Sequence, residues 1–230
     1  RRKFYKKNIT SFDKVLCLAN VPPPIKVNNQ VHIYFHNELI INPFKAKISL
    51  VNKFLFILKK YYLITFKNNY FWLVQTNHMK KGLVNILNIN ELLISKVPIF
   101  EDFLQKNIHT NPNTFLYPTS SHKHKNNEHL VKAFINAANK SSVDISLSLT
   151  VNRDELPWLK ILNLPSNLEL NFIGRVSHKK LLVFYSKNKY LIFPSLRESF
   201  GLPLIEGVQS GCYILASDLD YTNEVINASL

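Results

Sequence analysis

The stretch YLIFPSLRESFGLPLIEGVQSGCYILASDLDYTNEVI, residues 190–226, decides the fold. It opens on YLIFPS, a short apolar run closed by proline and serine that reads as a buried strand. PLIEGVQSG follows as a helix that stops on a glycine, and YILASD returns as a second strand. Glu198 and Glu206 stand eight residues apart, the first in the loop behind the first strand and the second on the helix. Their settings give them different work. A carboxylate at a loop tip, beside the backbone amides of Ser199, Phe200, Gly201 and Leu202, can accept hydrogen bonds from sugar hydroxyls while the amides face a phosphate at the helix N-terminus. A carboxylate further along the helix can bridge the two hydroxyls of a ribose. Gly201 lets backbone and ligand approach closely. Two glutamates at this spacing with nothing around them would more often be a solvated face.

Outward from this stretch the same alternation continues. TFLYP (114–118) reads as a strand, EHLVKAFINAANK (128–140) as a helix, DISLSLTV (144–151) and NLELNFIG (167–174) as strands, and KLLVFYSKN (180–188) as a helix. Elements in this order make a doubly wound parallel sheet, which places ligands at the carboxyl ends of its strands. From Val97 to Pro112 periodicity is lost among His, Asn, Thr and Pro, as suits a linker. Before it, VLCLAN (15–20), VHIYFH (31–36) and YFWLVQ (70–75) read as short buried parallel strands. KISLVNKFLFILKKYYLITF (47–66) reads as a basic amphipathic helix, weighed as core plus a basic surface ahead of a membrane anchor. Thr76 is placed to cap a helix running to Leu87.

Of the 230 residues, 46% are hydrophobic and 19% charged, the balance of a globular protein rather than a disordered one. Five glycines are few, so a phosphate here relies on helix N-termini and a lysine more than on a glycine-rich loop. The net charge of +14 is concentrated at the front: residues 1–70 carry thirteen Lys and Arg against Asp13 and Glu38. Such a field attracts phosphate-bearing partners, whether nucleic acid, anionic lipid or a lipid-linked pyrophosphate, and is equally the mark of a compositionally biased genome. Cys17 and Cys212 are too few for a disulfide framework, which suits a reducing cytoplasm. Lysines interrupt the most apolar region, so no membrane span is expected. His122, His124 and His129 lack a partnered carboxylate and read as solvated, and no D-x-D motif is present.

The 190–226 stretch resembles the E-x7-E segment of retaining GT-B glycosyltransferases of family 4, here ESFGLPLIE, followed by GCYILASD and by Glu224-Val225. Upstream, FLYPTSSHKHKNNEHLVKAF and NFIGRVSHKKLLVFYSKNKYLIFPS resemble the family's phosphate-side and base-side segments. The resemblance is close over roughly residues 114–226. LANVPPP, HIYFHNELI and VQTNHMKKGL resemble, less specifically, bacterial mannosyl- or rhamnosyltransferase-like members that build surface polysaccharides. It implies two Rossmann-like domains: an incomplete acceptor-side domain over 1–107, a linker over 108–113 and a donor domain over 114–230, in a chain that reads as a fragment lacking both ends.

Carried over position by position, the resemblance gives Lys125 the donor diphosphate, Glu198 the transferred sugar and Glu206 the ribose. Ser199, Phe200, Gly201 and Leu202 supply amides, and Val176 lies near the nucleobase. His36 is the acceptor-side histidine that lines the sugar site. Many relatives carry a Gly-Arg pair where this chain has Pro118-Thr119-Ser120, so the hydroxyls of Thr119 and Ser120 are the candidates to replace the missing cation. The implied activity is hexosyl transfer with retention from a nucleotide-diphosphate sugar to a glycan hydroxyl, on a free or lipid-linked acceptor, in lipopolysaccharide, capsule or other surface polysaccharide synthesis. No metal or cofactor and no nucleic acid are expected, and the implied place is the cytoplasm, free or at the inner face of the cell membrane with residues 1–70 in peripheral contact. The rival readings are a non-catalytic nucleotide-sugar-binding remnant, a GT-B phosphorylase or epimerase, and a basic nucleic-acid-binding module.

Overall fold

The computed structural model describes residues 2–43, 49–67, 70–97 and 112–227. The chain divides into two compact units, Arg1–Phe100 and Glu101–Leu230. Of the linker read at 108–113, only Pro112 and Asn113 fall within the described residues.

The first unit is built on four parallel strands, β1 (Lys14–Cys17), β2 (Gln30–Tyr34), β3 (Phe71–Val74) and β4 (Ile94–Lys96), in the spatial order 1-2-3-4. A progressive order of this kind is one half of a doubly wound sheet. Alternate residues Val31, Ile33 and Phe35 point into the core with Trp72 and Val74 of the next strand, which fixes the register of each strand. The helices are α1 (Arg2–Asn8), α2 (Glu38–Ile41), α3 (Leu50–Phe66) and α4 (Asn77–Leu87). Thr76 caps α4 by accepting from the Met79 N–H at 3.2 Å, and Met79, Leu83 and Leu87, one turn apart, bury its inner stripe.

Two features of this unit depart from the sequence reading. Only Leu63 of α3 is fully buried, while Leu50, Val51, Phe54, Leu55, Leu58 and Tyr61 are all exposed, so α3 is much less a core helix than its composition suggests. Strand β4 and helix α1 were not expected: β4 is three residues long, too short to show alternation, and α1 buries no side chain.

The second unit carries five parallel strands, β5 (Thr114–Tyr117), β6 (Ile145–Leu149), β7 (Leu168–Phe172), β8 (Tyr190–Phe193) and β9 (Tyr213–Ala216), in the order 7-6-5-8-9. The chain steps from β5 outward to β7, crosses back, and steps the other way through β8 to β9. Right-handed crossovers then put α5 (Asn127–Asn139) on one face and α6 (His178–Lys187) and α7 (Leu202–Gln209) together on the other. Helices α6 and α7 pack against each other, and α8 (Asp220–Asn227) packs on α7. The reversal between β5 and β8 is the switch point where the loops diverge and leave a crevice. Strand ends match the expected ones to within two residues or so, the usual latitude of such boundaries.

Gly207 shows how closely α7 lies on the sheet. A Cβ placed there would meet Leu191 Cδ2 at 2.5 Å and Ile214 Cδ1 at 3.0 Å, both from the strands beneath it. Gly207→Ala is expected to destabilise the second unit by about 1–3 kcal/mol, as overpacking does. A lowered urea midpoint at unchanged slope checks it.

Candidate functional site

The site residues of the second unit come from the loops that leave β5 and β8 side by side. Parallel pairing holds Phe115 against Tyr190 and Leu116 against Leu191. Beyond the strand ends the pairing is replaced by single bonds. The Leu196 N–H donates to the His124 carbonyl at 2.8 Å, and the Tyr117 hydroxyl donates to the Lys125 carbonyl at 2.6 Å. These two bonds fix Lys125 beside the β8 loop. Its ammonium lies 2.5 Å from Glu198 Oε1 and 5.5 Å from the centre of the Phe193 ring, with both charged side chains mostly but not fully covered. Ser195, which is fully buried, donates its hydroxyl to the same Glu198 oxygen at 2.7 Å, and the Tyr221 hydroxyl donates to the Ser195 carbonyl at 2.7 Å.

Ser199 and Phe200 lead from Glu198 into Gly201, whose φ of +92° lies in the left-handed region and which forms the N-cap of α7. Pro203 in the first turn has no N–H to lose. The Leu202 N–H has no carbonyl within the helix to donate to, as holds for every first-turn amide. Ser199 to Leu202 thus line the approach to the positive end of α7.

Glu206 lies in the second turn of α7 and is only 2% exposed. Tyr185 of α6 donates its hydroxyl to Glu206 Oε2 at 2.6 Å, and His178 Nε2 lies 2.8 Å from Oε1. The packing of α6 on α7 makes this cluster, and burial beside the carboxylate holds the Tyr185 phenol far above its ordinary value. His178 is half-exposed and begins α6 after Ser177, which caps it. Val176, half-buried, stands two residues before it.

The remaining expected residues divide. Lys125 and Glu198 are in contact, and Glu206 sits on the helix that the Glu198 loop enters. Thr119 is 7% exposed and donates its hydroxyl to Asn127 Oδ1 at 2.8 Å, so in this state it shapes its own loop. Ser120 is half-buried, with its hydroxyl 3.0 Å from His122 Nδ1. His36 belongs to the first unit, two residues past the end of β2, exposed as a residue but with its ring partly covered by Tyr34. Among the described residues no cluster of His, Cys, Asp and Glu is arranged to hold a metal ion, and no helix is long and apolar enough to cross a membrane.

Sequence reading missed Ser195, Tyr185, His178 and Tyr221. Each is an ordinary residue type whose partner lies 3 to 28 positions away, and only the packing of α6, α7 and α8 joins them. Ser195 alone left a trace, as a serine at the carboxyl end of a buried strand.

Parallel sheets flanked by helices, the second with a switch point between β5 and β8, define a doubly wound α/β protein, the fold class of the GT-B enzymes it superposes on. Residues 99–229 match the glycosyl transferases group 1 family, and the chain belongs to that family. It is 27% identical over 222 residues to the O-antigen chain mannosyltransferase RfbU of Salmonella typhimurium, covering 93% of this chain and 58% of that relative. The chain thus spans little more than half the length of this relative. Among solved structures, TarM superposes with a TM-score of 0.69 at 17% identity, over 96% of this chain and 44% of TarM. WaaG, a glycosyltransferase involved in lipopolysaccharide biosynthesis, superposes with a TM-score of 0.68 at 13% identity, over 99% of this chain and 65% of WaaG. At such identities the likeness is one of fold.

Two outcomes follow from this geometry. Tyr185→Phe removes a donor from a buried carboxylate and is expected to cost about 1.5–3 kcal/mol of stability, measured by urea unfolding. Burial also holds His36 and His124 below the ordinary histidine value of 6.5. The unfolded chain therefore takes up these protons first. The contribution of the two histidines to stability is complete above pH 6.5 and declines as pH falls through 6.5 toward their lower folded values. Replacing both with glutamine is expected to flatten that part of the stability profile.

Proposed function

We propose that the chain moves a hexosyl group from a nucleotide-diphosphate sugar to a hydroxyl of a growing surface glycan, with the anomeric configuration retained. The observation that carries this reading is the contact of Lys125 with Glu198 at the switch point of the second sheet. One side chain suits a diphosphate and the other suits sugar hydroxyls, and both stand before the N-terminus of α7. On binding, the diphosphate takes Lys125 and the amides of the α7 entry, which releases Glu198 to the sugar. Glu206 takes the ribose hydroxyls in exchange for its present partners, and Val176 borders the base. His36 is the first unit's contribution to the reaction. The bond from the anomeric carbon to the diphosphate oxygen breaks, a bond to the acceptor oxygen forms on the same face, and the acceptor's proton passes to the departing diphosphate.

Lys125 and the helix amides supply the positive charge the leaving group needs, so the reaction is proposed to require no metal. Mannose is the first sugar to try, because the relative RfbU is named a mannosyltransferase. The family membership supports glycosyl transfer as the reaction class.

We place the reaction in the cytoplasm at the inner face of the cell membrane. The exposed apolar side chains of α3 alternate with Lys53, Lys59 and Lys60, a pattern that suits an anionic lipid surface. Such a surface would bring a lipid-linked acceptor within reach.

Glu198→Gln is expected to lower turnover at least about 100-fold with mannose-bearing nucleotide diphosphates, by analogy with the loss of one transition-state hydrogen-bonding group. Wild-type turnover in that variant removes Glu198 from the reaction. Glu206→Gln is expected to weaken binding of the nucleoside diphosphate by about 1–3 kcal/mol in calorimetry. A wild-type chain that binds nucleotide sugars and transfers nothing is a binding remnant. For the membrane, co-sedimentation with vesicles containing phosphatidylglycerol is expected, with loss in Phe54→Asp; equal sedimentation with neutral vesicles would contradict it.

A further inference from the structure

At the carboxyl end of the first sheet, Asn20 reaches from the loop after β1 to His36, just past the end of β2. The backbone N–H of His36 donates to Asn20 Oδ1 at 2.7 Å, and Asn20 Nδ2 lies 3.3 Å from His36 Nε2. The two contacts together fix a proton. A backbone N–H can only donate, so the side-chain atom facing it is the amide oxygen, and the amide nitrogen is left toward the ring. That nitrogen can also only donate. His36 Nε2 must then be the acceptor, with a lone pair and no hydrogen. A neutral imidazole carries one N–H, which is left on Nδ1.

We propose that Asn20 is a positioning residue that holds His36 as the neutral Nδ1–H tautomer, which leaves Nδ1 as the ring's one donor and closes Nε2 as a base. The part of His36 in the reaction rests on the function proposed above; the tautomer does not.

Four further observations fit. Asn20 is 8% exposed, so its amide is held by its surroundings and has little competing water. Its φ of +63° lies in the left-handed region, which asparagine tolerates better than most residues, so this position selects the residue type twice over. Burial lowers the basicity of His36, and among the described residues no charged group contributes to that shift. The Tyr34 ring, 5.3 Å away centre to centre, covers one side of the imidazole without offering it a charge.

The test is a long-range proton–nitrogen spectrum of the ligand-free 15N-labelled chain at pH 7.5, with His36 assigned by its loss in His36→Gln. The expected result is a protonated Nδ1 and an unprotonated Nε2, the reverse of the preference of free histidine. Asn20→Asp keeps an oxygen for the backbone N–H and tolerates the left-handed φ, but turns an acceptor toward the ring. It is expected to move the proton to Nε2 and raise the His36 pKa by about one unit or more. Asn20→Gly keeps the backbone freedom and removes the clasp, and is expected to restore the free-histidine mixture. A protonated Nε2 in the wild-type chain, or an unchanged tautomer in both variants, would overturn the proposal.

Discussion

Everything in the second unit depends on the parallel pairing of β5 with β8. These strands lie 73 or so residues apart in the chain, yet pair at Phe115–Tyr190 and Leu116–Leu191. The topology reverses between them, so the segments that follow leave the sheet in diverging directions and open a crevice. The Leu196–His124 bond carries the pairing one step past the sheet. That bond sets the distance between the Lys125 and Glu198 backbones, and the ion pair follows from it. The Tyr117 phenol, whose pKa burial raises far above its ordinary value, donates to the Lys125 carbonyl and anchors it.

Much of this architecture was legible in the residues. The runs TFLYP, DISLSLTV, YLIFPS and YILASD are apolar, β-favouring and bounded by polar or breaking residues, and all four are strands. Helix α4 could be read from Thr76 and the stripe of Met79, Leu83 and Leu87, since cap and periodicity agree. What could not be read has a common cause. Strand β4 exists because β3 offers it a free edge, and three residues carry no period of their own. The outward-facing side chains of α3 are spaced much like a core stripe, and composition does not say which face meets the sheet.

The same division holds for the candidate site. Lys125, Glu198 and Glu206 stood out because the strand–loop–helix segments that carry them resemble motifs of the family, and such motifs are local in sequence. Their supports did not stand out. Tyr185 and His178 reach Glu206 through packing between helices, Ser195 reaches Glu198 through the fold of its own loop, and nothing in a linear spacing marks a tyrosine that will face a glutamate 21 residues on. Asn20 and His36 are 16 residues apart and share the same difficulty. Thr119 illustrates the converse: its loop could be read, but not that its hydroxyl turns inward to Asn127.

The mutual neutralisation of Lys125 and Glu198 bears on which solutes the crevice admits. A small free anion arriving at Lys125 meets a cation that already has a carboxylate at 2.5 Å, and displacing that carboxylate costs it its one charged partner among the described residues and leaves it the Ser195 hydroxyl. A polyol alone faces the mirror-image difficulty, since it offers hydroxyls to Glu198 but strands the ammonium. Only a molecule that brings anionic oxygens and hydroxyls together satisfies both ends of the opened pair. Within the proposed donor site the ion pair would act as a coincidence filter, favouring compounds in which phosphate and sugar are joined over either alone.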